Sequence, residues 1–323
     1  MKNNIRFTRK VRLKNPVMIA AWPGMGDVAI KAVVYLKDQL KAQPFATFAA
    51  ADFYHPSGVL VEAGQVVLPP APEGHFYAVR GAASGRDVVL FVSNAQPLID
   101  QSFTYAEELV DFAAGLGVKT LYTFAAMPLP IEHTERPQVR AVATDKKLLE
   151  GLAVRHIKVM PSGQISGLNG LILGAAKERR MDGICLLGEI PLYTVQIENP
   201  LASMAVLEKL GGLLGMKLDL AGLAKHAARM NQEIEHLVDY LKNPSPAETP
   251  IDEEEIEDIK KRLADASGLP ESARRHIDKL FFLARRDLSR ATELKQELDK
   301  WSVYDTYEDR FLDLFKKTPK KNN

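Results

Sequence analysis

Cysteine is nearly absent from this chain. Among 323 residues only Cys185 carries a thiol, so no disulfide can close within it. Cys185 sits in the apolar run GICLLG with no His or Lys beside it. It reads as a small core residue rather than a reactive thiol. An excess of charge of one sign is lacking too. Lys plus Arg number 42 against 41 Asp plus Glu, a net charge of +1. That balance gives no bulk attraction to nucleic acid or to an anionic membrane. Aromatic residues are 7% of the chain and are not interleaved with a basic patch, which further disfavours nucleic acid. No run approaches the ~18 apolar residues of a membrane span. The opening stretch MKNNIRFTRKVRLKNP is polar and basic and has no apolar core of a signal peptide. The expectation is a cytoplasmic protein with neither nucleic-acid nor membrane partners.

Catalytic signatures are equally scarce. There is no G-x-x-x-x-G-K-[ST] phosphate loop, no H-E-x-x-H zinc helix and no G-x-S-x-G nucleophile elbow. The seven histidines show no metal-ligand spacing. The expectation is therefore no metal and no cofactor.

What the chain does have is alternation. It is 46% hydrophobic and 26% charged, an ordinary globular balance, and long enough for about two domains. From residue 17 to about 218, short apolar runs alternate with helical patterns. VMIAAW (17–22), FATFAA (45–50), HFYAVR (75–80), DVVLFVS (87–93), KTLYTFAAM (119–127), VRAVATD (139–145), VRHIKV (154–159) and GICLLG (183–188) read as strands. VLVEAGQVVLP (59–69) reads as a hairpin turned at EAGQ. Helices are predicted over 28–40, over 101–117 with Ser102 as cap, over 166–180 with Ser166 as cap, and after Asn199-Pro200. This alternation predicts an α/β sandwich over 1–218.

The pattern changes at Asp219. Leu223, Ala227, Met230, Ile234, Leu237 and Leu241 are spaced 4-3-4-3-4, a narrow heptad seam. A three-proline linker, NPSPAETP, follows. Asp252, Glu255, Ile251 and Ile256 form a capping box and hydrophobic staple for the next helix. Residues 219–323 therefore read as a helical extension with helices over about 219–242, 252–266 and 270–301 and a basic tail. The seams must be buried, against each other or against a second subunit.

Two glycine-rich stretches carry the candidate site. The first is PGMGD, between a strand and a helix. Such a turn can aim backbone N–H groups at an anion. Asp27, however, stands at the positive end of the helix dipole, and Lys31 lies one turn on to pair with it. A tight self-capped corner is favoured over a contact to a neutral or cationic ligand, and both over phosphate. The second stretch is PSGQISGLNGLILG, where Gly167, Gly170 and Gly174 share a helical face suited to close packing. Ser166 and Asn169 at the helix start, Asn94 in FVSNAQP and Glu189 in LLGEIPLY all follow strands. Strand ends are where α/β sheets bind ligands.

Taken in order, PVMIAAWPGMGDVAIKAVVYL, FVSNAQP, SGQISGLNGLILGAAKERRMDGICLLGE and ENPLASMAVLEKL resemble the proteasome assembly chaperone family, in its second-chaperone branch of archaeal and bacterial members. The resemblance spans residues 14 to 215 and leaves the helical extension outside it. It implies a nucleoside-phosphorylase-like α/β sandwich with a mixed sheet. It also implies a non-catalytic protein-binding or assembly role, as a homo-oligomer with a client such as proteasome-type subunits. Gly24, Gly26, Gly167, Asn169 and Gly170 are the motif positions that carry over, with no catalytic role attached. The alternative is a small-molecule-binding protein or enzyme on the same phosphorylase-like fold. Its ligand site would gather Gly24, Gly26, Asp27, Asn94, Ser166, Asn169, Gly170 and Glu189.

Overall fold

The computed structural model describes residues 4–49, 51–56, 58–62, 64–69, 71–242, 277, 280–281, 283–285, 288–300, 304–312 and 314–315. By compactness the chain divides into two units, Met1–Gly268 and Leu269–Asn323.

The first unit begins with β1 (Ile5–Phe7), β2 (Val17–Ala21), α1 (Val28–Gln39) and β3 (Gln43–Ala49). A separate hairpin follows, β4 (Leu60–Glu62) and β5 (Gln65–Val67), then β6 (Glu73–Ala83) and β7 (Arg86–Ser93). Next come α2 (Ser102–Gly115), β8 (Thr120–Leu129), β9 (Val139–Ala143), α3 (Lys146–Ala153) and β10 (Lys158–Val159). The unit closes with α4 (Leu168–Glu178), β11 (Asp182–Pro191), α5 (Pro200–Leu214) and α6 (Ala221–Lys242). Nine strands form one mixed sheet in the order β1-β3-β6-β7-β2-β8-β11-β9-β10. Its centre, β7-β2-β8-β11, is parallel. On one side β6 and β3 run antiparallel, and on the other β9 runs antiparallel to β11.

The side-chain period of two explains why the central strands are apolar throughout. In β2, Val17, Ile19 and Ala21 enter a core with Val33 and Leu36 of α1 and Val206 and Leu207 of α5. Met18, Ala20 and Trp22 enter the opposite core, with Tyr105 and Leu109 of α2 and Ile172 of α4. Helices on both faces bury both halves of the alternation. Cys185 lies within the sheet, fully buried, and burial pushes its thiol up to about 12, in keeping with a packing role.

Several sequence readings are corrected. Ser102 does not cap α2; it is the first residue of the helix, and its hydroxyl donates to Leu98 O at 2.8 Å. Ser166 caps nothing either, because α4 starts at Leu168 behind Gly167, whose φ of 74° lies in the left-handed region. The run 154–159 is a strand only at Lys158–Val159. Its first residues instead close α3, an unexpected helix whose cap Asp145 accepts from Lys147 N at 2.7 Å. A short strand, β1, also forms in the polar opening segment, where Ile5 pairs with Phe48 and is buried.

The division between units falls at 268/269, whereas the sequence pattern places it at 218/219. The cause is α6. Its Leu223 lies in the α1/α5 core, and Tyr35 of α1 donates to Asp219 O at 2.9 Å. In the second unit the spacing predicts one helix over 270–301. The structure instead shows a turn at Arg285, a 3-10 turn at Leu288–Arg290, and then a helix at Ala291–Lys300. The interruption falls where the heptad spacing of Ile277, Leu280, Ala284, Ala291, Leu294 and Leu298 meets Asp287 in place of an apolar residue. Ile277, Leu280, Ala284, Ala291, Leu294 and Leu298 consequently bury together in one cluster. Phe311, from a further helix at Tyr304–Leu312, completes it. The expected helix over 252–266 lies outside the described residues. Among the described residues, no helix is long and apolar enough to cross a membrane.

Candidate functional site

The turn after β2 contains two consecutive residues in the left-handed region, Gly26 at φ 60° and Asp27 at φ 48°. Gly24, by contrast, is fully extended, and a Cβ on it would only touch the Asn169 amide at 3.5 Å. Gly26 is thus the residue the turn requires. It is buried against the segment leading to α5, with Gly26 N–H donating to Val195 O at 2.9 Å and Asn199 N–H donating to Gly26 O at 2.8 Å. Asn199 caps α5 as the sequence predicts, accepting from Ala202 N at 3.0 Å.

The self-capped corner is not what forms. Asp27 occupies the cap position of α1 but makes no capping bond with its side chain. Lys31 turns to Glu198 instead, at 2.6 Å, and His226 Nε2 meets the other oxygen of Glu198 at 2.6 Å. Burial pushes the Asp27 carboxyl above its ordinary range; Lys31 opposes that shift and Glu198 reinforces it. Burial also acts on Glu198, but the hydrogen bonds from Lys31 and His226 outweigh it and hold that carboxyl below its ordinary range.

The two carboxylates have opposite consequences for stability. A raised folded-state value means that ionised Asp27 is disfavoured by folding. Its penalty is complete above the raised value and vanishes below the ordinary carboxylate value. Asp27→Asn is therefore expected to raise the melting temperature at pH 7, helped by the tolerance of Asn for φ near 50°. The gain should close as the pH falls through the ordinary Asp range, measured by thermal unfolding from pH 3 to 8. Glu198 has the reverse sign. Its contribution is complete above the ordinary Glu value and is lost as the pH falls through the lowered one. Glu198→Gln is expected to lower stability at pH 7, by up to about 1 kcal/mol because Lys31 is well exposed. Urea titrations of the two proteins should converge in acid.

The second motif meets the first through side chains. Asn169 clamps the backbone of Trp22, accepting from Trp22 N at 3.0 Å and donating through Nδ2 to Trp22 O at 3.0 Å. Gln96 makes the next rung. Its Nε2 donates to Pro23 O at 2.7 Å, and its Oε1 accepts from Leu168 N at 3.0 Å. Thr123 Oγ1 on β8 donates to Asn169 O at 2.7 Å. The N-terminal N–H of α4 at Leu168, which an anion would seek, is already occupied by Gln96.

Gly170 serves a different contact. A Cβ there would stand 2.5 Å from Ile165 O, so its absence lets the 160–166 segment lie against α4. Gly174, expected on the same close-packed face, has nothing within 4 Å of a built Cβ. It does not serve packing.

Between the turn, β8, β11 and the 160–166 segment lies a cleft of about 240 Å³. Of the candidate residues, Gly24, Ser166 and Asn169 line it, with Met25, Met127, Met160, Ile165 and Leu187. The other candidates do not. Gly26 is buried under Asn199, and Asp27 belongs to the Lys31–Glu198 cluster. Gly170 lines a second cleft, of about 420 Å³, which also touches Met160 and Ile165. Asn94 is exposed at the end of β7. Glu189 is 5% exposed and used internally, accepting from Arg140 Nε at 3.1 Å and Gln138 N at 3.2 Å. Gln96 and Thr123 were not singled out from the sequence. Gln96 lies two residues beyond Asn94 in FVSNAQP, and nothing in the stretch says which amide turns inward. Among the described residues, no three His, Cys, Asp or Glu side chains gather as metal ligands.

A mixed sheet covered on both faces, with two glycine motifs locked together beside an uncharged cleft, defines the class: an α/β protein whose motif polar groups serve its own backbone. The chain belongs to the PAC2 family, whose sequence profile matches residues 18–238. An uncharacterized protein of Methanocaldococcus jannaschii is 32% identical over 238 residues, covering 72% of this chain and 88% of its own. The crystal structure of PbaB from Pyrococcus furiosus, an archaeal proteasome activator, is similar with a TM-score of 0.62. It is 27% identical and the match covers 72% of this chain and 97% of PbaB. A PAC2 family protein from Streptomyces avermitilis matches at 25% identity and a TM-score of 0.58, over 69% of this chain and 96% of its own.

Proposed function

We propose that this chain is a non-catalytic assembly factor that binds proteasome-type subunits and works as a cytoplasmic homo-oligomer. One observation carries the reading. The polar side chains of its motifs, Asn169 and Gln96, bond the backbone at Trp22, Pro23 and Leu168, and the cleft beside them is lined by no ionisable side chain. Acid–base or phosphate chemistry needs such groups directed at a substrate. The description of PbaB, a relative 27% identical, as a proteasome activator supports the same direction.

The test is sedimentation velocity of the full chain alone and mixed with proteasome α-type subunits from its source organism. A self-associated species that shifts to a heavier joint boundary is the expected result. A monomer that sediments independently of those subunits at micromolar concentration would overturn the proposal. A second reading is a small-molecule binder on a phosphorylase-like fold. It draws on the position of the cleft beside the C-terminal ends of β8 and β11, where α/β sheets hold ligands. A rise in melting temperature with a nucleoside, phosphate or a carboxylate would favour this second reading.

A further inference from the structure

The charges of the chain nearly cancel, but they are not evenly spread. At the β9–β10 edge of the sheet a cleft of about 510 Å³ opens against α5. Arg136 and Gln138 line it from the approach to β9, His156 and Lys158 from the approach to β10 and its first residue, and Glu208 and Lys209 from α5. One carboxylate thus stands among three cations. That carboxylate is already engaged, since Arg136 Nη2 donates to Glu208 Oε2 at 2.9 Å. Lys158 Nζ donates to a neutral group, Gln138 Oε1, at 2.7 Å. Among the described residues, the Lys209 ammonium and the His156 imidazole have no hydrogen-bond or ion-pair partner. Elsewhere the fold does pair such cations. Arg140 bonds Glu189, Lys31 bonds Glu198 and Arg179 bonds Asp111.

A cleft walled by charge of one sign focuses the field and raises the local concentration of a counter-ion. The charge count selects which one. With His156 neutral, three cations against one carboxylate leave a net charge of +2 in the lining. A single carboxylate on a ligand would answer half of it. A phosphate monoester carries about −1.5 to −2 at pH 7 and presents three acceptor oxygens to ammonium and guanidinium donors. The rest of the lining includes the apolar residues Pro137, Val139 and Ala205, all buried. A bare phosphate gains nothing from them, whereas the organic body of an ester can rest on them. The volume also lies within the range of about 300–1,000 Å³ usual for small-molecule sites. A nucleic-acid strand fits less well, because no Phe, Tyr or Trp lines the cleft for a base to stack on.

We infer that this cleft binds a small phosphate monoester, with Lys158 and Lys209 supplying the charge left unanswered within the protein and Arg136 shared between Glu208 and the ligand. The inference goes beyond the assembly-factor reading and does not depend on it.

The experiment is isothermal titration calorimetry of the full chain with phenyl phosphate, inorganic phosphate and benzoate, each in turn at low ionic strength. The expected result is saturable binding of phenyl phosphate, about tenfold or more tighter than of benzoate, tighter than of inorganic phosphate, and weakening as salt is added. Lys158→Gln and Lys209→Gln should each weaken it by roughly fivefold or more, whereas Lys119→Gln, which removes the same charge from an exposed position outside the cleft, should change it by less than about twofold. Glu208→Gln should tighten binding, because it removes the one negative charge of the lining and releases Arg136 to the ligand. A merely structural Glu208 would give no such gain. Loss of the response in the two lysine variants assigns the ligand to this cleft rather than to the one beside the Gly24–Asp27 turn. No saturable binding of phenyl phosphate at millimolar concentration overturns the inference. So does equal affinity for benzoate or for inorganic phosphate, native-like binding by both lysine variants, or tighter binding of a short single-stranded oligonucleotide. The assembly role is tested separately, by the sedimentation of the native chain with α-type subunits, and either result can hold without the other.

Discussion

Asn169→Ala is expected to cost the α/β unit about 2–5 kcal/mol, the largest effect of any single change in the motifs. The asparagine amide satisfies both the N–H and the C=O of Trp22 at the buried end of β2. Truncation leaves a donor and an acceptor without partners, each at a cost of about 1–3 kcal/mol. The melting temperature should fall by roughly 5–15 °C. Asn169→Asp separates the two bonds. It keeps the acceptor for Trp22 N–H but sets a carboxylate oxygen against Trp22 O, so it should be at least as damaging as alanine above its own titration range. Thermal and urea unfolding of the three proteins measures this. An unchanged stability for Asn169→Ala would mean that the amide belongs to a ligand rather than to the turn.

Gly170→Ala is expected to destabilise by about 2–3 kcal/mol, the upper part of the range for overpacking a well-filled site. The added methyl would lie 2.5 Å from Ile165 O and 2.6 Å from Ile165 Cβ. A carbonyl oxygen cannot rotate away, so the 160–166 segment must shift. Because Met160 and Ile165 line both clefts, that shift should also weaken any binding there. Gly174→Ala, one turn on in the same helix, provides the contrast. Nothing stands within 4 Å of its built Cβ, so the usual preference for alanine in a helix should raise stability by about 0.5–1 kcal/mol. Opposite signs at two glycines four residues apart separate close approach from helix propensity. Unfolding free energies of the two variants, measured side by side, decide it.

The layered α/β architecture was legible because β2, β7, β8 and β11 are apolar on both faces and are separated by amphipathic helices. Asn199 and Pro200 marked the start of α5 for the same local reason, a cap bond that depends only on nearby residues. Local pattern fails where a distant residue competes for a group. Spacing places Lys31 to pair with Asp27, but Glu198, from a segment far along the chain, supplies the carboxylate it bonds, and His226 holds the other oxygen of that carboxylate. Ser166 looked like a cap, but Gly167 turned the chain and Gln96 took the first N–H of the helix. The resemblance identifies Gly24, Gly26, Gly167, Asn169 and Gly170 as a set without saying what joins them. The joining element is a side-chain clamp between residues about 147 apart, which no local pattern encodes. The methionine lining was invisible for a similar cause, since Met25, Met127 and Met160 come from three separate segments.

The most direct test is a crystal structure of the full chain grown in the presence of phosphate and adenosine. If the glycine motifs are a backbone clamp, Asn169 will pair with both polar groups of Trp22, Gln96 will bridge Pro23 and Leu168, and the turn will hold neither additive. Phosphate or adenosine bound at the Gly24–Asp27 turn, with the Asn169 amide rotated toward it and away from Trp22, would contradict the clamp and restore the motif as a ligand cradle.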